Sequence, residues 1–318
     1  MPPLPDPAQD TEVAAQHMDA EHNSRPSAWH AWWLAARPKT LTVSLSPVLV
    51  GTMLAYAERS SIELWPALVA ALAAMLIQIG TNLHNDVSDH ERGADGPDRT
   101  GPPRATAMGW LSAASVRRAA WLAFGAAFLL GIALVARGGW PIVLIGLLSL
   151  LAGWAYTGGP RPIAYTPLGE LFVIAFFGGA AVGGSHYLQT LTASLPALLA
   201  ALMLGLFGAA VISVNNTRDL ASDARVGKNT LAVILGRRSM NGVYLLELLL
   251  PYLLLPLLAV LLGKGAWMAL PALSVGMALA LWRRFVGMRA GAAFNELLGQ
   301  TARLQAVFAV LLSTALLV

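Results

Sequence analysis

Long apolar stretches alternate with short polar connections along most of this 318-residue chain. Each stretch approaches the roughly 20 residues that a helix needs to cross a bilayer. The apolar residues are continuous and do not alternate with polar ones, which favours helices over the strands of a membrane barrel. The pattern predicts nine spanning helices, at residues 41–57, 64–85, 112–136, 140–157, 168–188, 194–216, 241–262, 266–283 and 300–318.

The N-terminal segment, residues 1–27, has a different character because it is polar and contains several prolines. It lacks the hydrophobic core of a signal peptide, so we expect a disordered cytoplasmic tail followed by one membrane domain over residues 28–318. The next stretch, "SAWHAWWLAARPKT", is rich in tryptophan. Indole rings favour the headgroup region, and this stretch therefore predicts a short helix at the membrane surface.

The composition agrees with an all-α integral membrane protein. Only 12% of the residues are charged, whereas a soluble domain has about a quarter. We therefore expect the lipid bilayer as a partner and no nucleic acid. The chain has no cysteine, which excludes thiol catalysis, disulfides and cysteine metal sites.

The basic residues predict the orientation of the helices. Eighteen of the 21 Lys and Arg residues fall in the N-terminal tail or near the connections after the second, fourth, sixth and eighth spans. Only Arg59, Arg137 and Lys264 fall on the other side. Cytoplasmic segments are enriched in Lys and Arg, so the N-terminus and these four connections are predicted to be cytoplasmic.

Two acidic clusters follow the second and the sixth spans. If the helices continue past the apolar runs, the two acids of each cluster lie on one helical face, spaced i, i+3 and i, i+4. Like charges at these spacings repel, and a cation would relieve the repulsion. Oxygen ligands without cysteine or adjacent histidine suit a hard ion, Mg²⁺ above all. The acids are Asp86 and Asp89 in the first cluster and Asp219 and Asp223 in the second.

Basic residues and amides accompany the acids in the same cytoplasmic connections. Arg and Lys are natural partners of phosphate oxygens, so the combination indicates a diphosphate site beside the membrane. In the turn "AYTGGPRPIAYTPLGE", glycines and prolines are expected to fix the position of Arg161 between Tyr156 and Tyr165. Each feature also has a simpler interpretation, namely a solvated loop, an amide that caps a helix end, or an arginine that only sets topology. The other candidates are Arg99, Arg104, Arg218 and Lys228, with Asn82, Asn85, Asn215 and Asn216.

Several segments resemble the UbiA-type membrane prenyltransferases, and within them the branch that prenylates 1,4-dihydroxy-2-naphthoate for menaquinone synthesis. Together the segments cover about a quarter of the chain and are spread from residue 37 to residue 304. They are "RPKTLTVSLSPVLVG" at 37–51, "NLHNDVSDHERGADGPDRTGPPR" at 82–104, "YTGGPRPIAYTPLGELFV" at 156–173, "NNTRDLASDARVGKNTLAVILG" at 215–236 and "NELLGQTARL" at 295–304.

The resemblance implies a UbiA-like bundle in the bacterial cytoplasmic membrane and a Mg²⁺-dependent transfer of a polyprenyl group from its diphosphate to the naphthoate, with loss of the carboxylate. It assigns the asparagines and aspartates of both clusters to the site and adds Lys39 to substrate binding. The general family has a third aspartate where this chain has Gly93; Asp95 is the next acid, and we expect it as a further metal ligand. Arg161 takes the place of a lysine in other branches.

Other functions remain open at this point. In one alternative, the protein is a prenyltransferase of the same superfamily whose acceptor is another aromatic compound, such as 4-hydroxybenzoate. Intramembrane acids and internal repeats also occur in ion-coupled transporters, although these acids lie at helix ends. A CDP-alcohol phosphotransferase would need a compact Asp-Gly…Ala-Arg run that the sequence lacks.

Overall fold

The computed structural model describes residues 26–93, 100–289, 291 and 293–318, so the predicted tail lies almost entirely outside the described residues. In these ranges the secondary structure is helical. The helices are α1 (Ala28–Ala36), α2 (Pro38–Arg59), α3 (Leu64–Glu91), α4 (Ala113–Gly138), α5 (Trp140–Ala155), α6 (Gly169–Thr190), α7 (Leu195–Arg218), α8 (Leu220–Arg225), α9 (Leu231–Leu262), α10 (Ala266–Gly287) and α11 (Ala293–Leu317).

Eight helices of the described residues are long and apolar enough to cross a membrane: α2, α3, α4, α6, α7, α9, α10 and α11. The remaining predicted span, residues 140–157, corresponds to α5, which is apolar but has only 16 residues. The predicted all-α class and multi-pass membrane architecture are therefore confirmed.

Several helices extend beyond their predicted limits, most clearly α3, α9 and α11, which begins at Ala293 rather than at 300. α3 continues from the predicted end at residue 85 to Glu91, and α9 begins at Leu231, ahead of the predicted 241. Hydropathy places the boundary where polar residues begin, whereas the backbone remains helical as long as its polar side chains find partners within the protein. α9 is interrupted at Gly236, whose φ of 75° lies outside the helical region.

α7 occupies the centre of the bundle. Most of its apolar stretch is buried, and it packs against α2, α6, α9 and α11. Phe207 of α7 contacts Phe308 of α11, with ring centroids 4.9 Å apart. α6 approaches α7 closely at Gly178, where a Cβ atom would lie 2.2 Å from the carbonyl oxygen of Ala201. Small residues permit such close approach of helices in a membrane.

α1 forms where the tryptophan-rich stretch predicts a helix. Ala31 and Ala35 are buried on one side, while Trp29 and Trp33 are exposed on the other. Arg37 joins α1 to α2 in a left-handed conformation, with φ of 53°. This sharp junction places the beginning of α2 beside the end of α3, where the first acidic cluster lies.

Candidate active site

A cavity of about 1140 Å³ extends between α2, α3, α4, α5, α6 and α7, with the beginning of α11 at one end. Its walls in the helical region are apolar and include Ile77, Phe128, Leu147, Phe172 and Phe176. Its other end collects polar side chains from both acidic clusters. These are Asn82, Asn85, Asp89, Asn215, Asn216, Asp219 and Asp223, with Lys39, Arg104, Tyr156, Arg218 and Lys228.

Asp89 is the acid of the first cluster that lines the polar end of the cavity. The residue is buried, with 4% of its surface exposed. Its Oδ2 forms an ion pair with the Nη2 of Arg104, which is also buried. Its Oδ1 is buried and accepts no hydrogen bond from the residues that the structure describes. A buried acceptor without a donor is costly, and this oxygen is therefore a suitable ligand for a cation in the cavity.

Asp86 belongs to the same cluster but does not line the cavity. Both of its carboxylate oxygens accept backbone N–H groups, from Ala105 at 3.0 Å and Thr106 at 2.9 Å. The predicted metal role of Asp86 has no counterpart in this arrangement, because its two oxygens already bind the backbone behind the cavity wall.

The second cluster lies at the junction of α7 and α8. Asp219 ends α7, and the backbone N–H of Asp223 donates to the carbonyl of Asp219 at 2.8 Å. Arg218 donates to both oxygens of Asp219, at 2.8 and 2.5 Å. Asp223 lies 3.5 Å from the Nζ of Lys228. Each acid of this cluster therefore has a basic neighbour, as does Asp89 in the first.

Burial raises the pKa of Asp223 to about 6, against the opposing effect of Lys228 and with smaller contributions from the carboxylates of Asp219 and Asp89. These contributions show that the two clusters interact electrostatically within one site. A divalent cation would favour the ionised forms and relieve the repulsion between the acids.

The donor set fits a hard divalent cation. Asp89, Asp219 and Asp223 line one end of one cavity, and amide oxygens line it with them. Among the described residues, no three His, Cys, Asp or Glu side chains form a ready-made metal cluster. Asp95, the additional predicted ligand, lies outside the described residues, as does Arg99. Mg²⁺ commonly uses few protein carboxylates and completes its coordination with water and substrate phosphate.

The four predicted asparagines all line the cavity, and each also connects structural elements. Asn82 donates to the carbonyl of Ala36 at 2.9 Å and so joins α3 to the end of α1. Asn85 accepts a hydrogen bond from the hydroxyl of Thr157. Asn215 accepts one from Arg218 at 2.9 Å. Asn216 donates to Glu170 at 2.9 Å.

The turn after α5 has a different arrangement from the predicted one. Arg161 is exposed, does not line the cavity, and makes no hydrogen bond or ion pair within the described part of the chain. The structure therefore does not bring Arg161 together with the other predicted residues at the polar end, and its contact with a diphosphate stays a prediction. Arg92, at the end of α3, binds the turn instead by donating to the carbonyls of Thr157 and Gly159.

The two tyrosines of this turn also separate. Tyr156 lines the cavity, and burial raises its pKa well above the usual range, so the phenol stays protonated. Tyr165 lies outside the cavity wall. The Nζ of Lys228 lies 4.8 Å from its ring centroid, and the guanidinium carbon of Arg92 lies 5.6 Å from it. Tyr165 thus supports two basic residues through cation–π contacts.

The sequence analysis missed two residues of the site. Asn295, at the beginning of α11, accepts a hydrogen bond from Arg218 at 2.7 Å and donates to the carbonyl of Thr100 at 3.0 Å. Glu170 holds the amide of Asn216. Asn295 lies in the segment "NELLGQTARL", and Glu170 lies in "YTPLGE". Both segments resemble the family, and this resemblance could have pointed to the two residues. Their charge and their spacing along the chain gave no indication of a role in the site.

A comparison with known protein families shows to which family the chain belongs. The profile of the UbiA prenyltransferase family matches residues 44–296, which is most of the chain and includes both acidic clusters. The chain belongs to the UbiA prenyltransferase family. It is therefore a membrane prenyltransferase, as the resemblance predicted.

Curated UbiA relatives include several enzymes named 1,4-dihydroxy-2-naphthoate octaprenyltransferase. The Bacillus subtilis protein is 32% identical over 288 residues, which cover 90% of this chain and 92% of the relative. The Escherichia coli protein is 39% identical over 216 residues, which cover 66% of this chain and 70% of the relative.

Solved UbiA structures share the fold. A UbiA homologue from Archaeoglobus fulgidus bound to DMAPP and Mg²⁺ aligns with a TM-score of 0.66 and 13% identity, covering 90% of this chain and 99% of the other. The apo structure of a homologue from Aeropyrum pernix aligns with a TM-score of 0.65 and 15% identity, covering 88% and 98%.

Proposed function

We propose that this protein transfers a polyprenyl group from polyprenyl diphosphate to 1,4-dihydroxy-2-naphthoate, with Mg²⁺ as cofactor and with loss of the carboxylate. One observation carries the proposal: the acids and bases of two separate helix ends meet at the polar end of a single, otherwise apolar cavity. The named naphthoate relatives support the acceptor, and the structure of a homologue with DMAPP and Mg²⁺ supports the donor and the metal.

The polar end suits a diphosphate. Asp89, Asp219 and Asp223 would hold Mg²⁺, which would supply positive charge to offset the charge growing on the departing diphosphate. Arg218, Lys228 and Arg104 line the same end and offer N–H donors to the phosphate oxygens. These donors belong to residues already bound to neighbours, so they are oriented before the substrate arrives.

The apolar walls suit the prenyl chain and the reaction. The allylic C–O bond breaks and its electron pair leaves with the diphosphate, so the prenyl carbon becomes cationic. The electron-rich ring carbon that bears the carboxylate supplies the pair for the new C–C bond. Loss of CO₂ returns an electron pair to the ring and gives the demethylmenaquinone skeleton as its quinol. Apolar walls exclude water, which would otherwise capture the cation.

The product distinguishes the naphthoate from other acceptors. Purified protein in liposomes, supplied with Mg²⁺ and a polyprenyl diphosphate, is expected to convert 1,4-dihydroxy-2-naphthoate into the quinol of demethylmenaquinone, which air oxidises to demethylmenaquinone, and to release one diphosphate per product. Mass spectrometry of the lipid extract and a diphosphate assay would check this. Prenylation of 4-hydroxybenzoate in place of the naphthoate would contradict the acceptor, and product formation from neither would contradict the proposed activity.

Arg218 is expected to matter for donor binding. It binds Asp219, Asn215 and Asn295 at once, so its removal both deletes a phosphate donor and releases the second cluster. We expect Arg218→Leu to lower kcat/KM for the donor by about 10–100-fold, the scale of a charged hydrogen bond and its geometry. Arg218→Lys should recover part of the loss, since it keeps the charge without the planar fork.

A surface arginine provides the control for Arg218. Arg117, near the beginning of α4, is exposed and forms an ion pair with Glu91. Arg117→Leu should leave donor kinetics within about twofold of wild type, because exposed ion pairs contribute little. Equal losses in the two leucine variants would show that the effect of Arg218 is not specific to the site.

We also propose that the protein lies in the bacterial cytoplasmic membrane with its polar cavity end on the cytoplasmic side. The distribution of Lys and Arg supports this orientation. The polar end is formed by the end of α3, the junction of α7 and α8, and the beginning of α11, all of which lie on the side richer in basic residues.

A further inference from the structure

The two aspartates of the first cluster have separate environments, although they lie only three residues apart on α3. Asp89 faces the cavity and pairs with the side chain of Arg104. Asp86 is 2% exposed and binds only backbone, through Ala105 and Thr106. The residues that the two acids bind are consecutive in sequence. The connection that returns from α3 is therefore attached to that helix at three adjacent positions.

The attachment by Asp86 is specific for an ionised carboxylate. Its two oxygens accept two parallel N–H groups at 2.9 and 3.0 Å. A carboxylate is acceptor-only, so it satisfies both donors at once. An asparagine in this place would satisfy one donor and turn its own N–H groups toward the other. The residues held in this way are themselves buried, at 1% for Ala105 and 6% for Thr106.

The connection held by Asp86 is folded tightly beyond the contact. The N–H of Met108 donates to the carbonyl of Arg104 at 2.9 Å, and that of Trp110 donates to the carbonyl of Ala105 at 2.9 Å. Ala105 also packs against Leu83 and Val87 of α3. The backbone on both sides of the Arg104 side chain is thereby fixed relative to α3.

We propose that Asp86 is a positioning residue that anchors the 104–106 backbone to α3 and so holds the Arg104 guanidinium against Asp89. By fixing the Arg104–Asp89 ion pair, the anchor would determine how strongly Arg104 neutralises the Asp89 carboxylate that is to bind a cation. It would also determine the position from which Arg104 can bind an anionic substrate. Both consequences rest on the proposed function. The anchor itself does not, because it concerns only the backbone contacts of Asp86.

Hydrogen exchange tests the anchor directly. In wild-type protein in nanodiscs, the amides of Ala105 and Thr106 are expected to exchange slowly, as read by mass spectrometry with residue-level fragmentation. Asp86→Asn should accelerate their exchange by about tenfold or more, the scale of a lost charge-assisted hydrogen bond. Asp89→Asn, a matched change one helical turn away, should leave these two amides protected.

The exchange outcomes decide the proposal without any activity measurement. Fast exchange of both amides in the wild type would overturn it even if the Asp86 variant does not fold. Equal protection in wild type and Asp86→Asn would also overturn it. A protein that shows the predicted exchange but makes no prenylated product would contradict the proposed function and leave the anchor supported.

A double-mutant cycle tests whether Asp86 acts through Arg104. If it does, Asp86→Asn should raise the KM for the prenyl donor in the wild-type background and have a much smaller effect when Arg104 is already alanine, because coupled residues are not additive. Equal, additive effects in both backgrounds would show that Asp86 acts independently, as a direct metal ligand would, and would overturn this part of the proposal.

Discussion

Replacing Asp89 with alanine is expected to reduce prenyl transfer by about 10²–10³-fold, the scale for removing one preorganised electrostatic contact in an active site. The variant removes the one acid of the first cluster that lines the cavity in the described structure, together with its buried oxygen that has no hydrogen-bond donor. It also removes the carboxylate of Asp89 that pairs with the buried guanidinium of Arg104. Steady-state kinetics in liposomes, with the donor varied at saturating naphthoate, would measure the effect.

Glu91 supplies the matched control for Asp89. It lies two residues further along α3, carries the same charge and pairs with Arg117 at the surface. Glu91→Ala should change turnover by less than about twofold, since surface ion pairs are weak. If Asp89→Ala retained near-normal activity, or if the two variants lost equal activity, Asp89 would not be part of the metal site.

Chelation is expected to abolish transfer almost completely. Carboxylates repel phosphate oxygens in a site of low dielectric constant, so a cation must lie between the diphosphate and the acids Asp89, Asp219 and Asp223 for them to take part in binding it. Activity should disappear in EDTA and return with Mg²⁺ or Mn²⁺, both of which prefer oxygen ligands.

The control for chelation is the same concentration of EDTA already saturated with Mg²⁺, which should leave activity unchanged. Limited proteolysis of the chelated protein would verify that the bundle stays folded, as expected for helices whose packing is apolar. Full transfer in free EDTA would refute a metal role and, with it, the assignment of Asp219 and Asp223.

Much of the fold was predictable from the sequence because the bilayer imposes simple rules. Continuous apolar runs of the required length predicted every spanning helix, and the tryptophan-rich stretch predicted α1. The helix ends were less predictable. α3 continues through Asn85 and Asp86 because their polar groups bind Thr157 and the 105–106 backbone, and such partners, distant in sequence, leave no trace in a hydropathy pattern.

The candidate site was predictable as a set of residue types but not in its detailed contacts. Helical spacing put Asp86 and Asp89 on one side of α3, yet three residues of rotation suffice for one to face backbone and the other to face the cavity. The stiff turn after α5 suggested a fixed Arg161. In the structure, Arg92 instead binds this turn, through the carbonyls of Thr157 and Gly159. Every residue has a backbone carbonyl, so a sequence pattern does not reveal which carbonyl will accept a hydrogen bond.

The apolar wall between α4 and α5 has a consequence for the products of the enzyme. Phe128, Ile132 and Leu147 line the cavity, and each is between 46 and 54% exposed, so this wall is not covered by the other helices that the structure describes. A long prenyl chain can therefore leave the cavity between these helices and dissolve in the surrounding acyl chains. The protein would then recognise the diphosphate end of its donor and would not select the length of the prenyl chain. Under the proposed function, the length of the prenyl chain would then be set by the synthase that makes the prenyl diphosphate.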